Sequence, residues 1–132
     1  MKYLLDTSIA IHAGAAHPNV IEKFVENAGV LFTSALVLTE LHRGFYKNTI
    51  HQDVRRMQLE ILLRQVNVLD FDAAAAEAYG RIVAQLGWVK GRDFDRMIAA
   101  HAISTRSTLV TANEKDFRDI PGLALENWLA AP

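Results

Sequence analysis

Four acidic residues stand where a carboxylate needs a chemical reason to be. Asp6 stops the short apolar run of residues 2–5, and Asp116, preceded by Asn113, follows the run Thr108-Leu-Val-Thr111. Glu40 shares a helical stripe with Val37, Leu41 and Gly44, at the spacing i, i+3, i+4, i+7. Asp95 lies one turn before Ile98, Ala99 and Ala102. An ionised carboxylate on an inward stripe is costly unless it is paired or binds a metal. Four such groups from four distant segments make the hard oxygen donor set that suits Mg²⁺, which takes one or two carboxylates directly and keeps waters and phosphate oxygens as its other ligands. Such a centre polarises a phosphodiester and lowers the pKa of bound water. The candidate catalytic and metal-ligating residues are therefore Asp6, Glu40, Asp95 and Asp116.

Each acid also has an ordinary reading. Asp6 can cap a helix, Glu40 can pair with Arg43, and Asp95 can complement the positive end of its helix. Asp116 can belong to a solvated face, and Asn113 is a natural N-cap. The spacing alone leaves these open; the weight comes from all four segments pointing to one place.

The elements that must position them alternate between strand and helix. Residues 2–5 form a strand ending at Asp6, followed by Thr7 and Ser8 as capping residue types. A helix begins at Pro18-Asn19 and ends at Asn27-Ala-Gly29. Val30–Thr33 is a second strand, and Ser34 caps a helix over 35–47. Another helix runs over 51–64, and a third strand lies within 66–71. Asp72 caps an alanine-rich helix reaching Gly87. A loop over 88–92 leads to a helix over 94–104, then come the strand 108–111, a short helical turn after Asn113 and a fifth strand over 123–128. Strands separated by helices predict a parallel sheet with helices on both faces, in one domain spanning 1–132. Open sheets of this kind bind ligands beyond the carboxyl ends of their strands, where Asp6, Asn113 and Asp116 fall.

Composition sets the outer bounds. The 132 residues are 51% hydrophobic and 22% charged, enough for a core without cross-links. There is no cysteine, which excludes thiolate metal sites, thiol catalysis and disulfides. The five histidines (His12, His17, His42, His51, His101) lack the close pairing of a helical metal motif and are expected to be structural or superficial. No apolar stretch is long enough for a membrane span, so a soluble, cytoplasmic protein is expected. The net charge of −1 gives no general basic excess. With four acids committed to a metal, however, 14 basic residues face 11 acidic ones, leaving +3 for a nucleic-acid partner.

Five segments in order carry a family resemblance. They are Leu4-Leu5-Asp6-Thr7-Ser8; Thr39-Glu40-Leu41 with Gly44; Asp95-Arg96-Met97-Ile98-Ala99-Ala100-His101-Ala102; Leu109-Val110-Thr111-Ala112-Asn113 with Asp116-Phe117; and Pro121-Gly122-Leu123 with Asn127-Trp128. Together they resemble the VapC toxins of type II toxin–antitoxin modules. The resemblance implies a PIN-like three-layer α/β/α fold with a central parallel sheet of about five strands. It also implies an endoribonuclease dependent on Mg²⁺ or Mn²⁺, a VapB-type antitoxin partner and a homodimer. By motif position Asp6, Glu40 and Asp95 would be the core acids and Asp116 the variable fourth, with Thr7, Ser8, Thr111 and Asn113 as supporting polar groups. The chain departs from the family pattern in three places. Ser8 stands where Asn is commoner, Asp116 replaces the commoner Glu, and Asp93 is an extra acid beside Asp95 that suits a helix N-cap.

Candidates for gripping RNA phosphates are Arg43 and Lys47 beyond Glu40, and Lys90, Arg92 and Arg96 around Asp95. The run Phe94-Asp-Arg-Met-Ile-Ala99 leans toward tRNA as substrate. Apolar residues over 36–45 and 57–63 are read first as core packing, with the alternative that part of them forms an antitoxin groove or a dimer face. Two rivals remain. A phosphorylated receiver-like domain would need paired acids after the first strand, whereas Asp6 stands alone. A catalytically silent PIN-like module that only binds RNA or protein would not need a complete set of acids.

Overall fold

The computed structural model describes residues 1–47 and 50–130. Its centre is a sheet of five parallel strands: β1 (Tyr3–Leu5), β2 (Leu31–Ser34), β3 (Asn67–Leu69), β4 (Thr108–Val110) and β5 (Leu125–Glu126), in spatial order β3-β2-β1-β4-β5. Parallel neighbours need a crossover, and here each of the first three crossovers is a helix pair. α1 (Thr7–Gly14) and α2 (Pro18–Glu26) join β1 to β2. α3 (Ala35–Lys47) and α4 (Gln52–Gln65) join β2 to β3, and α5 (Ala73–Leu86) and α6 (Asp93–Ser104) join β3 to β4. A 3₁₀ turn (Glu114–Asp116) precedes β5. Helices α1, α3 and α4 pack together, and α5 packs along α6. This is the α/β architecture with a central parallel sheet that the alternation of segments predicts. Among the described residues no helix is long and apolar enough to cross a membrane.

Burial follows the strand order. Leu4 and Leu5 of the central β1, and Leu109 and Val110 of β4 beside it, are fully buried, whereas the edge strand β3 leaves Asn67 and Val68 exposed. Trp128 closes the far end of the core, packing edge-on against Tyr3 and Phe24, with ring centroids 5.1 and 6.3 Å away. Beyond it, the Leu129 carbonyl accepts from Asn19 Nδ2 at 2.7 Å, fastening the chain's end to α2. On the opposite flank His101 is buried, its Nδ1 2.9 Å from the Ser34 hydroxyl, which also accepts from the Leu36 N–H. Burial pushes the imidazole down, so it stays neutral and ties α6 to the end of β2.

Three expectations about local structure need correction. Thr7–Gly14 is a helix, where only capping types are expected. The reason is that Asp6 itself is the cap: its Oδ1 accepts from the Ile9 N–H at 3.1 Å, so Thr7 and Ser8 already lie inside the first turn. Asp93 is not the N-cap of α6; Arg92 holds that position, and the Asp93 carboxylate turns toward α5, where it accepts from the Tyr79 hydroxyl. The fifth strand is only Leu125–Glu126, because the chain then turns to seat Trp128. Asp72, in contrast, caps α5 as expected, accepting from the Ala75 N–H at 2.9 Å.

Leu109 lies in register with Leu4 on one side and Leu125 on the other. Leu109→Ala is expected to lower the unfolding free energy by about 2–5 kcal/mol, read as a lower urea midpoint with an unchanged slope. A shift within the error of the extrapolation would mean that β4 is not central to the core.

Candidate active site

The strand order reverses direction at β1: the chain first adds β2 and β3 on one side and later β4 and β5 on the other. Parallel sheets open a crevice at such a switch, beyond the carboxyl ends of the strands. Asp6 follows β1 and Thr111 follows β4, so the crevice is lined from both sides. A cleft of about 250 Å³ is bounded there by Asp6, Thr7, Ser8, Ile11, Glu40, Asp95, Ile98 and Asn113. Asp6, Glu40 and Asp95, expected from three distant segments, thus face one space.

Asp6 is only 5% exposed. Its Oδ1 accepts from the Ser8 hydroxyl at 2.6 Å as well as from the Ile9 N–H. Burial pushes its carboxyl above the usual range, and the bonds from Ser8, Thr111 and Ile9 only partly offset this. Ser8 is held in turn, its Oγ accepting from the Ala112 N–H at 3.0 Å, so that one hydroxyl links the ends of β1 and β4. Thr111 is buried, and its Oγ1 accepts from the Asn113 N–H at 3.0 Å.

Glu40 reaches the cleft from α3. One carboxylate oxygen accepts from the Thr7 hydroxyl, and the other lies 3.4 Å from Arg43 Nη2, one turn away and largely exposed. Asp95 is half-buried in the first turn of α6. Its carboxyl is also pushed up, first by burial and then by the charges of Asp116, Asp6 and Glu40, with Arg92 opposing. Asp95 therefore senses the other three acids, Asp116 included, although Asp116 sits outside the cleft lining. Among the described residues no three acidic or imidazole side chains are drawn tight enough to hold an ion by themselves. That spacing fits a cation that keeps part of its water shell and takes only one or two carboxylates directly. The donors are hard oxygens, and the unrelieved repulsion at Asp95 is what a divalent cation would relieve. Residues and ion are compatible.

Two ordinary readings coexist with this placement. Asp6 is a helix cap, and Glu40 does pair with Arg43; neither role turns the carboxylate out of the cleft. Asn113 occupies the cap position of the 3₁₀ turn but makes no side-chain cap bond, leaving its amide at the cleft wall.

The basic residues divide. Arg43, Lys47 and Lys90 are exposed. Arg96 is not available to RNA: it is 3% exposed, donates to the Gly87 carbonyl at 2.7 Å and pairs with Asp119 at 3.7 Å. The physical reason is helical phase, since Arg96 faces the core side of α6 with Ala99 and Ala100. Arg92 is half-buried, donating to the Asp116 carbonyl at 2.8 Å and pairing with Asp119 at 3.3 Å. Asp119, unremarked in the sequence, is thus the anchor that lets Arg92 and Arg96 fix the turn carrying Asp116. Only its position three residues beyond Asp116 hinted at this.

A second groove, about 320 Å³ and mostly apolar, adjoins the cleft and shares Thr7, Ile11 and Glu40 with it. It runs between α1, α3 and α4 past Leu41, Phe45, Leu59 and Leu62. Beside it, α4 exposes Val54, Met57 and Ile61.

Acids gathered at the switch point of a parallel α/β domain define a class of protein built to place carboxylates around a divalent cation. Residues 3–123 match the PIN domain. Ribonuclease VapC2 of Rickettsia felis is 37% identical over 135 residues, covering 97% of this chain and 98% of the relative. The tRNA(fMet)-specific endonuclease VapC of Shigella flexneri is also 37% identical, with the same coverage. Among solved structures, the DNA-bound VapBC complex of Salmonella typhimurium superposes with a TM-score of 0.86 at 32% identity, over 97% of this chain and 98% of that one. The chain belongs to the PIN-domain family and, within it, to the VapC ribonucleases.

The raised carboxyls of Asp6 and Asp95 have a consequence for the metal-free protein. A carboxyl raised on folding contributes stability below its unfolded pKa, and that stability is lost as pH rises through the folded value. In EDTA at neutral pH the ionised Asp6 is therefore a burden on the fold. Asp6→Asn, which keeps the acceptor for Ile9 and Ser8, is expected to raise the melting temperature at neutral pH and to change it little at acidic pH. Equal or lower melting temperatures for the variant at both pH values would show that Asp6 carries no uncompensated charge.

Proposed function

We propose that this chain is a Mg²⁺- or Mn²⁺-dependent endoribonuclease acting in the cytoplasm as the toxin of a toxin–antitoxin pair. Asp6, Glu40 and Asp95 would hold the ion, with Asp116 as the fourth acid. The observation that carries the reading is the convergence of three acids on one cleft, with Asp6 held above its usual range by burial and Asp95 by burial and then by the charges of the other acids.

A bound divalent cation supplies Lewis acidity and a water of lowered pKa. The chain's own residues do the rest. Ser8 and the Ile9 N–H fix the rotamer of Asp6, and Thr7 and Arg43 fix that of Glu40. Thr111 and Asn113 form the wall from which the Asp116 turn departs. Ile11 and Ile98 give the cleft an apolar lining that lowers its dielectric constant and strengthens each charge interaction inside. Arg43 and Lys47, exposed beyond Glu40, can take the phosphates on either side of the scissile one, as can Arg92 where its fork is free, with salt-sensitive affinity. Among the described residues no histidine lies in the cleft wall.

The substrate proposed is structured RNA, tRNA foremost, on the strength of the Shigella relative's specificity. The partner proposed is a VapB-type antitoxin, supported by the VapBC assemblies among the solved relatives. The apolar groove and the exposed face of α4 offer area for that partner and for a homodimer.

The test is to incubate antitoxin-free protein with total RNA in Mg²⁺, in Mn²⁺ and in EDTA, and to map the cut ends. Cleavage only with metal is expected. Asp6→Asn and Glu40→Gln should each slow it by at least about 100-fold, the scale of losing one preorganised contact to developing charge. Intact RNA in both metals, with RNA still bound, would instead make the chain a silent binding module. Cuts spread over all RNAs alike would remove tRNA as the target.

A further inference from the structure

The loop joining α5 to α6 carries a feature that the cleft does not use. Trp88 is 61% exposed, while the other tryptophan, Trp128, is buried at 2%. An exposed indole is ordinarily loose, but this one is pinned by its edge: Nε1 donates to Asp93 Oδ2 at 3.0 Å. The second oxygen of Asp93 accepts from the Tyr79 hydroxyl, so a single carboxylate ties the loop to α5 and to the first turn of α6. The hydrogen bond to Asp93 pushes the Tyr79 hydroxyl up and keeps it a donor. The polar atom of Trp88 is therefore spent within the protein, and the ring presents its apolar surface to solvent in a fixed orientation.

The surroundings indicate what that surface meets. Lys90 is exposed two residues on, and Arg92 follows, anchored to the Asp116 carbonyl. Asp95 lies two residues after Asp93, in the same turn of α6. The first turn of α6 carries Asp95 into the cleft wall, so the loop leads directly into the helix that forms that wall. A pinned aromatic face, with Lys90 and Arg92 on the same loop and that loop leading into a phosphodiester-binding cleft, has the chemistry of a base-stacking platform. An antitoxin segment would more readily bury its apolar face in the groove between α1, α3 and α4.

We infer that Trp88 is a stacking platform for an unpaired base of the RNA substrate, held in position by Asp93 and Tyr79. This rests on the nuclease reading for its substrate class and names what that substrate must offer: a single-stranded nucleotide beside the cut, as a loop provides and a continuous duplex does not.

The test uses the full chain carrying Asp6→Asn, so that RNA survives, and a fluorescein-labelled uridine decamer as probe. Trp88→Ala is expected to weaken decamer binding about 5- to 150-fold, the range for loss of one base–aromatic stack. Trp88→Phe should restore most of it. A decamer with abasic linkers should bind the Trp88 protein more weakly and the Trp88→Ala protein no worse than the uridine decamer. An equal abasic penalty in both proteins overturns the inference, as does Trp88→Ala binding the decamer normally while losing antitoxin. Should Trp88→Ala fold poorly, the unsubstituted chain still decides: the decamer should quench the emission of Trp88 but not that of Trp128, isolated in Trp88→Phe. Unquenched emission at saturating decamer overturns the inference. In the cleaving protein, intact activity with an unquenched Trp88 would sink this inference alone; absent cleavage with quenching preserved would sink the nuclease reading alone.

Discussion

Negative charge gathered in a partly desolvated cleft is the constraint around which this molecule is organised. Asp6 is almost fully buried and Asp95 half so; the charges of Asp116, Asp6 and Glu40 bear on Asp95, opposed by Arg92, while Arg43 pairs with Glu40 at the exposed edge. A fold optimised for stability alone would not assemble them. The remainder of the site compensates in part: Asp6 and Glu40 are given donors that hold their orientation. Ser8, the Ile9 N–H and Thr7 perform that service, and all three lie in or at the first turn of α1.

That turn explains how a short helix gains its importance. Asp6 ends β1 and begins α1 at once, so its carboxylate both caps the helix and faces the crevice. The Ser8 hydroxyl bridges Asp6 and the Ala112 N–H, locking the ends of two adjacent strands together. On the far side Arg92, Arg96 and Asp119 perform the matching task for the turn that carries Asp116. The two supports are of different kinds, one made of hydroxyls and backbone amides and one of ion pairs, and they meet across β4.

The acids were legible in the sequence because their positions conflicted with local rules. A carboxylate on an apolar helical stripe, as at Glu40, or at the end of an apolar run, as at Asp6, is a visible inconsistency, and inconsistencies of that sort concentrate at functional sites. Arg96 shows the opposite case. As a basic residue beside Asp95 it looked available to phosphate, yet its side chain is spent on the Gly87 carbonyl and Asp119, both outside its own helix. Asp93 was equally deceptive, since a cap is inferred from neighbours in sequence, whereas its partners Tyr79 and Trp88 come from the preceding helix and loop.

What the sequence determined by itself was everything governed by short-range periodicity and chain chemistry. It determined the alternation of strands and helices, the capping of α5 by Asp72, the absence of thiol chemistry and which acids were out of place. What only the tertiary structure decided was how those segments meet: that the sheet reverses at β1, that Asp6, Glu40 and Asp95 share one cleft, that Arg96 is sealed away, and that Trp88 stands pinned and exposed. The physical reason is that burial and electrostatic coupling depend on distances across the fold. Those distances are set by packing between segments some 30 to 110 residues apart, which no local pattern encodes.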